Sequence, residues 1–510
     1  MKKTYKILLF IFIGVLLLFA VVFYANRTIK NKIKKGIEQE LVNSNVEYEE
    51  ILIDLINGGS VIKQPRINLG NTVISAKQIE VIDLDYQEYF SNKKIVFDRI
   101  VFKNPEIIIK RADSTNRDLG VSDSKTSKNK FKEDIQIKHV VIKDGILKMI
   151  ESDSLKNGLF VSLNKMDIYD LHITKESLKE KIPFNYSEVS LKSDSLFYGL
   201  NAEHDLQIKN TQIKGENLSI KELKIIPKYS KGEFDRMQKV ENDRFSLGVP
   251  NIEMKNFKWR FIGDKLELQS ESTKIVSPVF NVYRNKLLPD NNSFKPLYSQ
   301  KLREMGTKLK FENIEISNAS ITYEEKSVSG KSAGEINFSN MDADIANISN
   351  IGLGKDNFPK TTVSVKTDFM GASKLNFEMD FYINDPEDKF HFSGDLEGIA
   401  ANEMNSFLKP ALNIEVEGRI SSMFFNFYGN NTSALGDTRL EYHDFKVEVL
   451  KKDGETKNKF LSTIANLIVK KNVANKKMDQ KNISATRDQT KSFWNFLWLC
   501  IRNGALKSFI

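Results

Sequence analysis

The sequence contains one cysteine, five histidines and eleven prolines among 510 residues. Because Cys500 has no second thiol, an intramolecular disulfide and a zinc site built on several cysteines are excluded. The scarcity of proline beside thirty-four phenylalanines favours ordered strands over proline-rich linkers. The net charge of +9 comes from lysines spread among acidic residues, and no basic cluster is interleaved with aromatics, so nucleic-acid binding is not indicated.

Patterns that carry catalysis are also missing from the sequence. Gly330–Gly334 reads GKSAG and matches a nucleophile elbow, but the alternating stretch EINFSN follows where a helix is required, which predicts a hairpin loop. Two acidic pairs lack the full ligand series of a calcium site and predict solvated turns; they are Asp342 with Asp344 and Asp385 with Asp388. The histidines are scattered without a second ligand nearby: His139, His172, His204, His391 and His443. We therefore expect no enzyme, no cofactor and no metal site.

The longest apolar run lies near the N-terminus. Ile7–Tyr24 reads ILLFIFIGVLLLFAVVFY, eighteen residues without a charge, which is just long enough to cross a bilayer core. A cleaved signal peptide is the alternative, but the sequence FYAN at the end of the run lacks the small-x-small cleavage pattern. We expect an uncleaved anchor within residues 1–27. Its span includes Ile7, Leu16 and Tyr24. Five basic residues from Arg27 to Lys35 follow it, so the charge count alone would place the rest of the chain in the cytoplasm.

Beyond this run the hydrophobic pattern has a period of two. Short segments alternate apolar with polar residues between clusters of Gly, Asn or Asp, which predicts half-buried antiparallel strands. Examples are IVFDRIVF at 95–102, LNFEMDFYI at 375–383 and FFNFYG at 424–429. Helices are expected only at 28–42, 297–305, 403–408 and 460–471 and in the C-terminal tail. Two segments without apolar periodicity, 112–130 and 470–490, are expected to be loops or tethers.

A ten-residue pattern recurs four times, as IVFKNPEIII, VVIKDGILKM, IEMKNFKWRF and IEISNASITY. Each copy has apolar residues at its first, third, eighth and tenth positions and Asn or Asp at its fifth. If the fifth residue begins a two-residue turn, the four apolar side chains share one face of a hairpin. A β-bulge is the alternative, because Pro105 cannot take the positive φ of a type I′ turn. The predicted groove-facing residues are Ile100, Phe102, Ile107, Ile109, Val140, Ile142, Leu147, Met149, Ile252, Met254, Trp259, Phe261, Ile314, Ile316, Ile321 and Tyr323.

A sheet with one apolar face has two interpretations. It can pack on a second sheet as the core of a sandwich, or it can curl so that the apolar face lines an open groove for lipid chains. The scarcity of helices able to cover the sheet, and the apolar segments at both chain ends, favour the groove. We therefore predict a mainly β fold: a transmembrane helix, a long curved antiparallel sheet of successive hairpins with an apolar inner face, few short helices and a C-terminal amphipathic helix.

The region from Phe390 onward carries a resemblance to a known family. It has a strand ending in G-x-L, a short helix ending near Lys409-Pro410, a strand opening at a glycine, a Gly-Asn turn and the strand segment YHDFK. These elements and the terminal KSFWNFLW resemble the C-terminal region of AsmA-like proteins of Gram-negative envelopes. The anchor and the repeated strand pairs resemble the family in style only. The residues that match its pattern are Gly394, Pro410, Gly418, Gly429, Gly436, Tyr442 and Asp444; the glycines among them are expected at turns with positive φ.

The resemblance implies a single-pass inner-membrane protein with most of its chain in the periplasm and a sheet akin to chorein-type lipid-transfer bridges. It implies binding of phospholipid or another envelope lipid in an apolar groove, in support of lipid transfer or outer-membrane biogenesis, with the outer membrane or an envelope protein as a further partner. The alternative is a structural or regulatory envelope protein with a closed β core that binds a protein. The expected segments are the anchor at 1–27, a juxtamembrane helix at 28–45, the hairpin body at 46–389, the C-terminal β region at 390–469, a flexible linker at 470–490 and an amphipathic helix at 491–510.

The C-terminal tail, KSFWNFLWLCIRNGALKSFI, is the most apolar segment since the N-terminal run. A helical wheel places Phe493, Trp494, Leu497, Trp498, Cys500, Ile501 and Ala505 on one face. About twenty residues with interior polar groups make a poor membrane span. Two interpretations stay open: an interfacial helix with Trp494 and Trp498 at the level of the lipid headgroups, or a helix that caps the open end of the sheet.

Overall fold

The computed structural model describes residues 46–54, 59–85, 94–111, 134–151, 154–177, 184–263, 265–371, 373–450 and 478–509, with residues 88, 91, 180 and 182. The chain divides into two compact units. The first consists of Met1–Glu222 and Phe261–Lys265, and the second of Leu223–Arg260 and Leu266–Ile510. Both units are built mainly of strands, as the period-two pattern predicts.

In the described residues of the first unit up to its boundary at Glu222 there are thirteen strands, the last of which crosses that boundary. They are β1 (Val46–Glu47), β2 (Glu50–Asp54), β3 (Gly59–Lys63), β4 (Arg66–Leu69), β5 (Thr72–Ser75), β6 (Gln78–Leu84), β7 (Ile95–Lys103), β8 (Glu106–Arg111), β9 (Ile135–Glu151), β10 (Ser154–Ile173), β11 (Glu188–Gly199), β12 (His204–Lys214) and β13 (Asn217–Pro227).

Short strands in this unit lie end to end and form longer ones. β7 and β8 both run parallel to β9, with Lys103 opposite Lys143 and Glu106 opposite Ile146. β5 and β6 lie in the same way beside β8 and β7. From β9 to β12 the strands are antiparallel. The sheet is therefore mixed, and the prediction of a wholly antiparallel sheet is wrong.

The second unit begins within β13 and contains the remaining elements. The strands are β14 (Asp243–Lys255), β15 (Lys258–Ile262, which crosses the boundary), β16 (Lys265–Val276), β17 (Val279–Asn285), β18 (Lys308–Lys326), β19 (Gly334–Ser349), β20 (Thr361–Phe369), β21 (Ser373–Phe381), β22 (Phe390–Ala400), β23 (Ile414–Gly429), β24 (Ser433–Val449) and β25 (Met478–Thr486). The helices are α1 (Lys231–Met237), α2 (Tyr298–Glu304), a 3₁₀ turn (Ala401–Met404), α3 (Asn405–Leu412) and α4 (Phe493–Phe509).

The strands of the second unit form one ladder. β14 pairs with β16 and β17, which lie end to end, and both of these run parallel to β18. From β18 to β25 each strand is antiparallel to the next. The parallel pairing is possible because residues 286–307, which include α2, return the chain to the end of the sheet from which β16 began. Here too the sheet is mixed.

The fifth residue of the ten-residue pattern has a left-handed backbone conformation and does not begin a hairpin turn. Asn104, Asp144, Asn256 and Asn318 have φ values of 49°, 53°, 49° and 52°. The chain continues in the same direction after Asn104, Asp144 and Asn318. In β18 the residues 317 and 318 stand opposite the single residue Asp342, whose carboxylate accepts the backbone N–H of Asn318 at 2.9 Å. The hairpin prediction is wrong where the strand continues past this residue, and the bulge alternative is confirmed at Asn318. At Asn104 and Asp144 the pairing with β9 and β10 keeps one register across the left-handed residue. Asn and Asp suit the position because they tolerate the left-handed conformation.

The bulge explains why apolar residues five positions apart share a face. In a regular strand Phe102 and Ile107 would point to opposite sides, because the side-chain period is two. One extra residue between them restores the side. Phe102 and Ile109 accordingly belong to one buried cluster, and Ile107 packs against it. The copies at 100–109 and 140–149 therefore have the predicted common face, because all eight of their apolar residues belong to this cluster or pack against it. A different backbone produces that face.

The helices near 297–305 and 403–408 and in the tail are confirmed as α2, α3 and α4. The flexible linker over 470–490 is wrong for residues 478–486, which form β25 beside β24. The predicted anchor with Ile7, Leu16 and Tyr24, the helices at 28–45 and 460–471, and the loop at 112–130 lie outside the described residues. Within the described ranges, no helix is both long and apolar enough to span a membrane.

Candidate functional site

The predicted groove residues of the first unit are packed inside it. Ile100, Ile109 and Val140 are 0%, 2% and 5% exposed and belong to one large apolar cluster with Phe102 and Met149. Ile107, Ile142 and Leu147 lie against the same cluster. In this unit the apolar face of the sheet is therefore a packed core.

In the second unit the apolar side chains form rows across the ladder. Residues paired directly in a ladder point to the same face, so the pairings can be followed from strand to strand. One row contains one residue from each of the ten strands β14, β16 and β18 to β25. A second row contains the next residue on the same face of each of these strands. The first is Met254, Thr273, Ile314, Ile345, Val363, Met379, Phe392, Phe427, Gly436 and Ile483, and the second is Ile252, Ile275, Ile316, Ala343, Val365, Phe377, Gly394, Phe425, Thr438 and Gln480.

Two shorter rows continue this surface on the other side of the bulges. Leu247, Phe280, Ile321, Phe338 and Phe369 form one of them, and Phe245, Val282, Tyr323 and Ile336 form the other. We call the surface made by the four rows the apolar face of the second unit. It unites the predicted residues Ile252, Met254, Ile314, Ile316, Ile321 and Tyr323. Trp259 and Phe261 are half-buried on β15 and are not part of these rows.

Exposure along the apolar face is greater over β18 to β20 than over the C-terminal strands. Ile314, Ile345 and Val363 in the first row are half-buried, whereas Phe392 and Phe427 are 0% exposed. The long strand β18 has only one buried residue, Ala319, along its nineteen positions. One part of the face is thus covered, and the part over β18 to β20 remains partly open.

The opposite face of this sheet is polar. Lys274 and Glu315 form an ion pair of 2.8 Å across β16 and β18, and both are about half-exposed. On β21 and β22 His391 hydrogen-bonds to Asp380 at 2.9 Å and stacks on Tyr428. The sheet of the second unit is therefore one-sided.

Three of the family-pattern glycines lie within strands beneath phenylalanine rings. Gly394 pairs with Phe425, Gly429 with Phe390, and Gly436 with Phe427. A Cβ added at Gly394 would lie 2.5 Å from the ring of Phe425, and one at Gly436 would overlap the ring of Phe427. Positive φ, expected for all four, occurs only at Gly418, with φ of 96°. The expectation is wrong for Gly394, Gly429 and Gly436, whose missing side chains make room for the rings.

The other family-pattern residues are structural. A Cβ at Gly418 would strike the backbone carbonyl of Asp444, itself at φ 49°. Tyr442 is 6% exposed in the apolar cluster below α4, and Pro410 lies inside α3.

The terminal helix α4 covers the C-terminal part of the apolar face. Phe493, Phe496, Leu497 and Cys500 are at most 5% exposed and pack with the phenylalanines of β21 to β23. The ring of Phe390 meets those of Phe493 and Phe496 edge-on, at 5.4 and 6.0 Å. Burial raises the pKa of the Cys500 thiol to about 12. The interpretation of the tail as a helix that caps the sheet therefore agrees with the structure.

The two tryptophans of this helix point outward. Trp494 is 60% and Trp498 42% exposed. The helical wheel placed them with Phe493 and Leu497 and omitted Phe496, which is 2% exposed. The predicted apolar face is therefore rotated toward the tryptophans relative to the true buried face.

A buried ion cluster ties the start of α4 to the beginning of β14. Glu241 is 2% exposed; its carboxylate accepts hydrogen bonds from Lys286 and from Lys491, the latter at 3.0 Å. Lys491 also pairs with Asp290 at 3.0 Å. Burial by itself would raise the pKa of Glu241, but the two lysines outweigh it and lower the pKa to about 2.

This cluster shows that the sheet of the second unit is curled. β14 and β25 are nine pairings apart, or about 43 Å in a flat sheet. Glu241 lies two residues before β14, and Lys491 lies five residues after β25, which allows a backbone reach of about 24 Å for the two together. The two side chains and their hydrogen bond add on the order of 13 Å, and the sum is still shorter than the flat sheet. Because α4 sits on the apolar face, the first and last strands of the ladder approach each other on that side. The apolar face is therefore concave.

The remaining polar motifs have structural places. GKSAG forms the loop between β18 and β19, as predicted. The turn expected at Asp342 and Asp344 is wrong, because both lie within β19, where Asp342 accepts the N–H of the bulge at Asn318. Asp385 accepts N–H groups within its own turn. The solvated turn expected at Asp388 is wrong, because this residue is 3% exposed and pairs with Arg303 and Ser299 of α2.

Several residues of the apolar face escaped the sequence analysis. Ile336, Phe338 and Met341 lie in β19, where Asn340 is a further bulge with φ of 48°. Residues 336–345 read INFSNMDADI, with apolar residues at the first, third, eighth and tenth positions and Asn at the fifth. They are a further copy of the ten-residue pattern, so the same signal could have found them. No family model matches this chain, and no curated protein matches its sequence.

Proposed function

We propose that this chain is a membrane-anchored, AsmA-like lipid-binding protein of the Gram-negative periplasm. In this proposal an inner-membrane anchor holds the chain, and the apolar face of the second unit shelters the acyl chains of a phospholipid or another envelope lipid. The binding supports lipid transfer or outer-membrane biogenesis and is not enzymatic. The observation that carries the proposal is the concave, one-sided sheet, whose four apolar rows are half-buried over β18 to β20 at every position except Ala343.

The dimensions and chemistry of this face suit acyl chains. The half-buried part over β18 to β20 is two strand spacings wide, about 10 Å, and on β18 it runs from Ile314 to Tyr323, about 30 Å along the strand. A fatty-acid chain can therefore lie along these strands. Each methylene moved from water onto the face contributes about 0.8 kcal/mol. The headgroup can remain in water, where it loses no hydration. Movement along such a face needs no covalent chemistry.

The rival function is a structural or regulatory envelope protein with a closed core and a protein partner. The first unit supports it, because the predicted groove residues there are buried in one cluster. The half-exposed rows of the second unit support lipid binding. The two proposals therefore make different predictions for the second unit, which is the place to test them.

The test uses two adjacent positions of β18 that point to opposite faces. Ile321 lies on the apolar face between Phe280 and Phe338, and Thr322 lies on the polar face between Asn281 and Asn337. A photo-crosslinking amino acid is placed at either position in the full chain, which is irradiated in cells and purified. Mass spectrometry then measures lipid attached to the protein.

We expect lipid adducts with the crosslinker at position 321 and few with it at position 322. Replacement Ile316→Lys should reduce the adducts at 321, because it puts a charge into the neighbouring row, while Glu315→Lys on the polar face should leave them unchanged. Absence of lipid adducts at 321, with protein adducts in their place, would support the rival function.

A further inference from the structure

The outward side of α4 presents a stripe of large exposed side chains. Trp494, Trp498 and Leu506 are 60%, 42% and 52% exposed, and Arg502 is exposed between them. These four residues recur at every fourth position, so they lie along one side of the helix. We call them the outward stripe. It carries both tryptophans of the helix.

The stripe is held on a rigid base. The inner side of α4 is fixed by Phe493, Phe496, Leu497 and Cys500 in the apolar cluster below it. Beside the stripe, the ring of Tyr298 contacts that of Trp494 at 6.3 Å, and Tyr298 is itself 39% exposed. The exposed aromatic side chains therefore have a fixed direction and need no further folding to be presented.

The charge of the stripe identifies its partner. Residues 493–509 contain no Asp or Glu, whereas Arg502 and Lys507 are both exposed. Lys301 adds a further cation, 5.7 Å from the centre of the Tyr298 ring. Tryptophan prefers the headgroup level of a bilayer, and basic side chains beside it attract anionic lipids. An apolar protein surface would leave these cations without counter-charges.

We propose that the outward stripe docks on the surface of an anionic phospholipid bilayer. The helix lies along that surface, with its tryptophans among the headgroups and its inner side still on the sheet. The inference extends the proposed function by naming a second membrane contact, far along the sequence from the expected anchor. It does not require lipid on the apolar face, so each can fail without the other.

The experiment measures binding to a second membrane. The full chain is reconstituted by its own apolar segment into nanodiscs of phosphatidylcholine. These nanodiscs are mixed with vesicles of phosphatidylcholine, with or without phosphatidylglycerol, and bound protein is measured by flotation. Trp494→Ser/Trp498→Ser removes the stripe's aromatics. Tyr428→Ser/Leu435→Ser is the matched control, because these side chains are 60% and 54% exposed on the polar face of the same unit.

We expect the wild type to bind the anionic vesicles. The affinity of the tryptophan variant for them should be lower by at least about tenfold. Arg502→Gln should weaken binding to anionic vesicles about fivefold and leave binding to neutral vesicles unchanged. The control variant should bind like the wild type. Equal binding by the tryptophan variant, equal binding to neutral and anionic vesicles, or self-association through the stripe in place of vesicle binding would each overturn the proposal.

Discussion

The orientation of α4 on the sheet can be tested by mutation, because the aromatic side chains on its inner and outer sides differ strongly in exposure. Phe496 is 2% exposed and lies against Phe390. Replacement Phe496→Ala removes a buried ring, which costs about 3–5 kcal/mol. Trp498 is the larger side chain but 42% exposed, so Trp498→Ala should cost less than about 1 kcal/mol.

This difference should appear as local opening of α4. Hydrogen exchange followed by mass spectrometry reports the free energy of opening for the segment 493–509. Since 1.4 kcal/mol is a factor of ten, a cost of about 3–5 kcal/mol means that Phe496→Ala should speed exchange in this segment by about two to three and a half orders of magnitude. Trp498→Ala should change it by less than about tenfold.

The comparison also has a clear negative outcome. If Trp498→Ala opened the helix as much as Phe496→Ala, the helix would be rotated from the orientation described above, with the tryptophans inward. Exchange in the strands of the first unit serves as the internal reference, because neither residue belongs to its apolar cluster.

Two further predictions concern the same region. Gly436→Ala should lower the free energy of unfolding by about 1–3 kcal/mol, because the new methyl group overlaps the Phe427 ring; in urea unfolding, Gly248→Ala, which meets no atom within 4 Å, should change it by less than about 0.5 kcal/mol. Because the pKa of Glu241 is lowered from 4.5 to about 2 in the folded protein, its ionised carboxylate stabilises the fold at pH values above 4.5 by about 3 kcal/mol. This stabilisation should be lost as the pH falls from 4.5 toward 2. Glu241→Gln should remove that acid-dependent loss in urea titrations, and an unchanged pH profile would contradict the ion cluster.

The alternation of the sequence was sufficient to predict a mainly β fold and one apolar face. The spacing of these residues alone predicts that Ile314 and Ile316 share one face with Ile321 and Tyr323. The spacing did not distinguish a turn from a bulge, because both place the first, third, eighth and tenth residues on the same face. The direction of the chain after Asn318 depends on hydrogen bonds to β17 and β19, which are distant in the sequence.

Other features depend on contacts that a single segment does not contain. Gly394 makes room within its strand for the ring of Phe425, which lies thirty-one residues away in the sequence. The packing of α4 depends on which of its aromatics meets Phe390. Residues 478–486 read as a polar linker, yet β24 supplies them with backbone partners. Lys491 is polar in the sequence, and only the fold brings Glu241 to it.

The bulges give each long strand two halves that are out of phase with each other. Before Asn318 the residues of β18 on the apolar face have even residue numbers, and after Asn318 they have odd residue numbers. Substitution at such a position alters one side chain, whereas loss of that single residue would exchange the inner and outer faces of everything beyond it in the strand. A chain built in this way can vary its side chains widely, but it has little freedom to vary the number of residues in its strands.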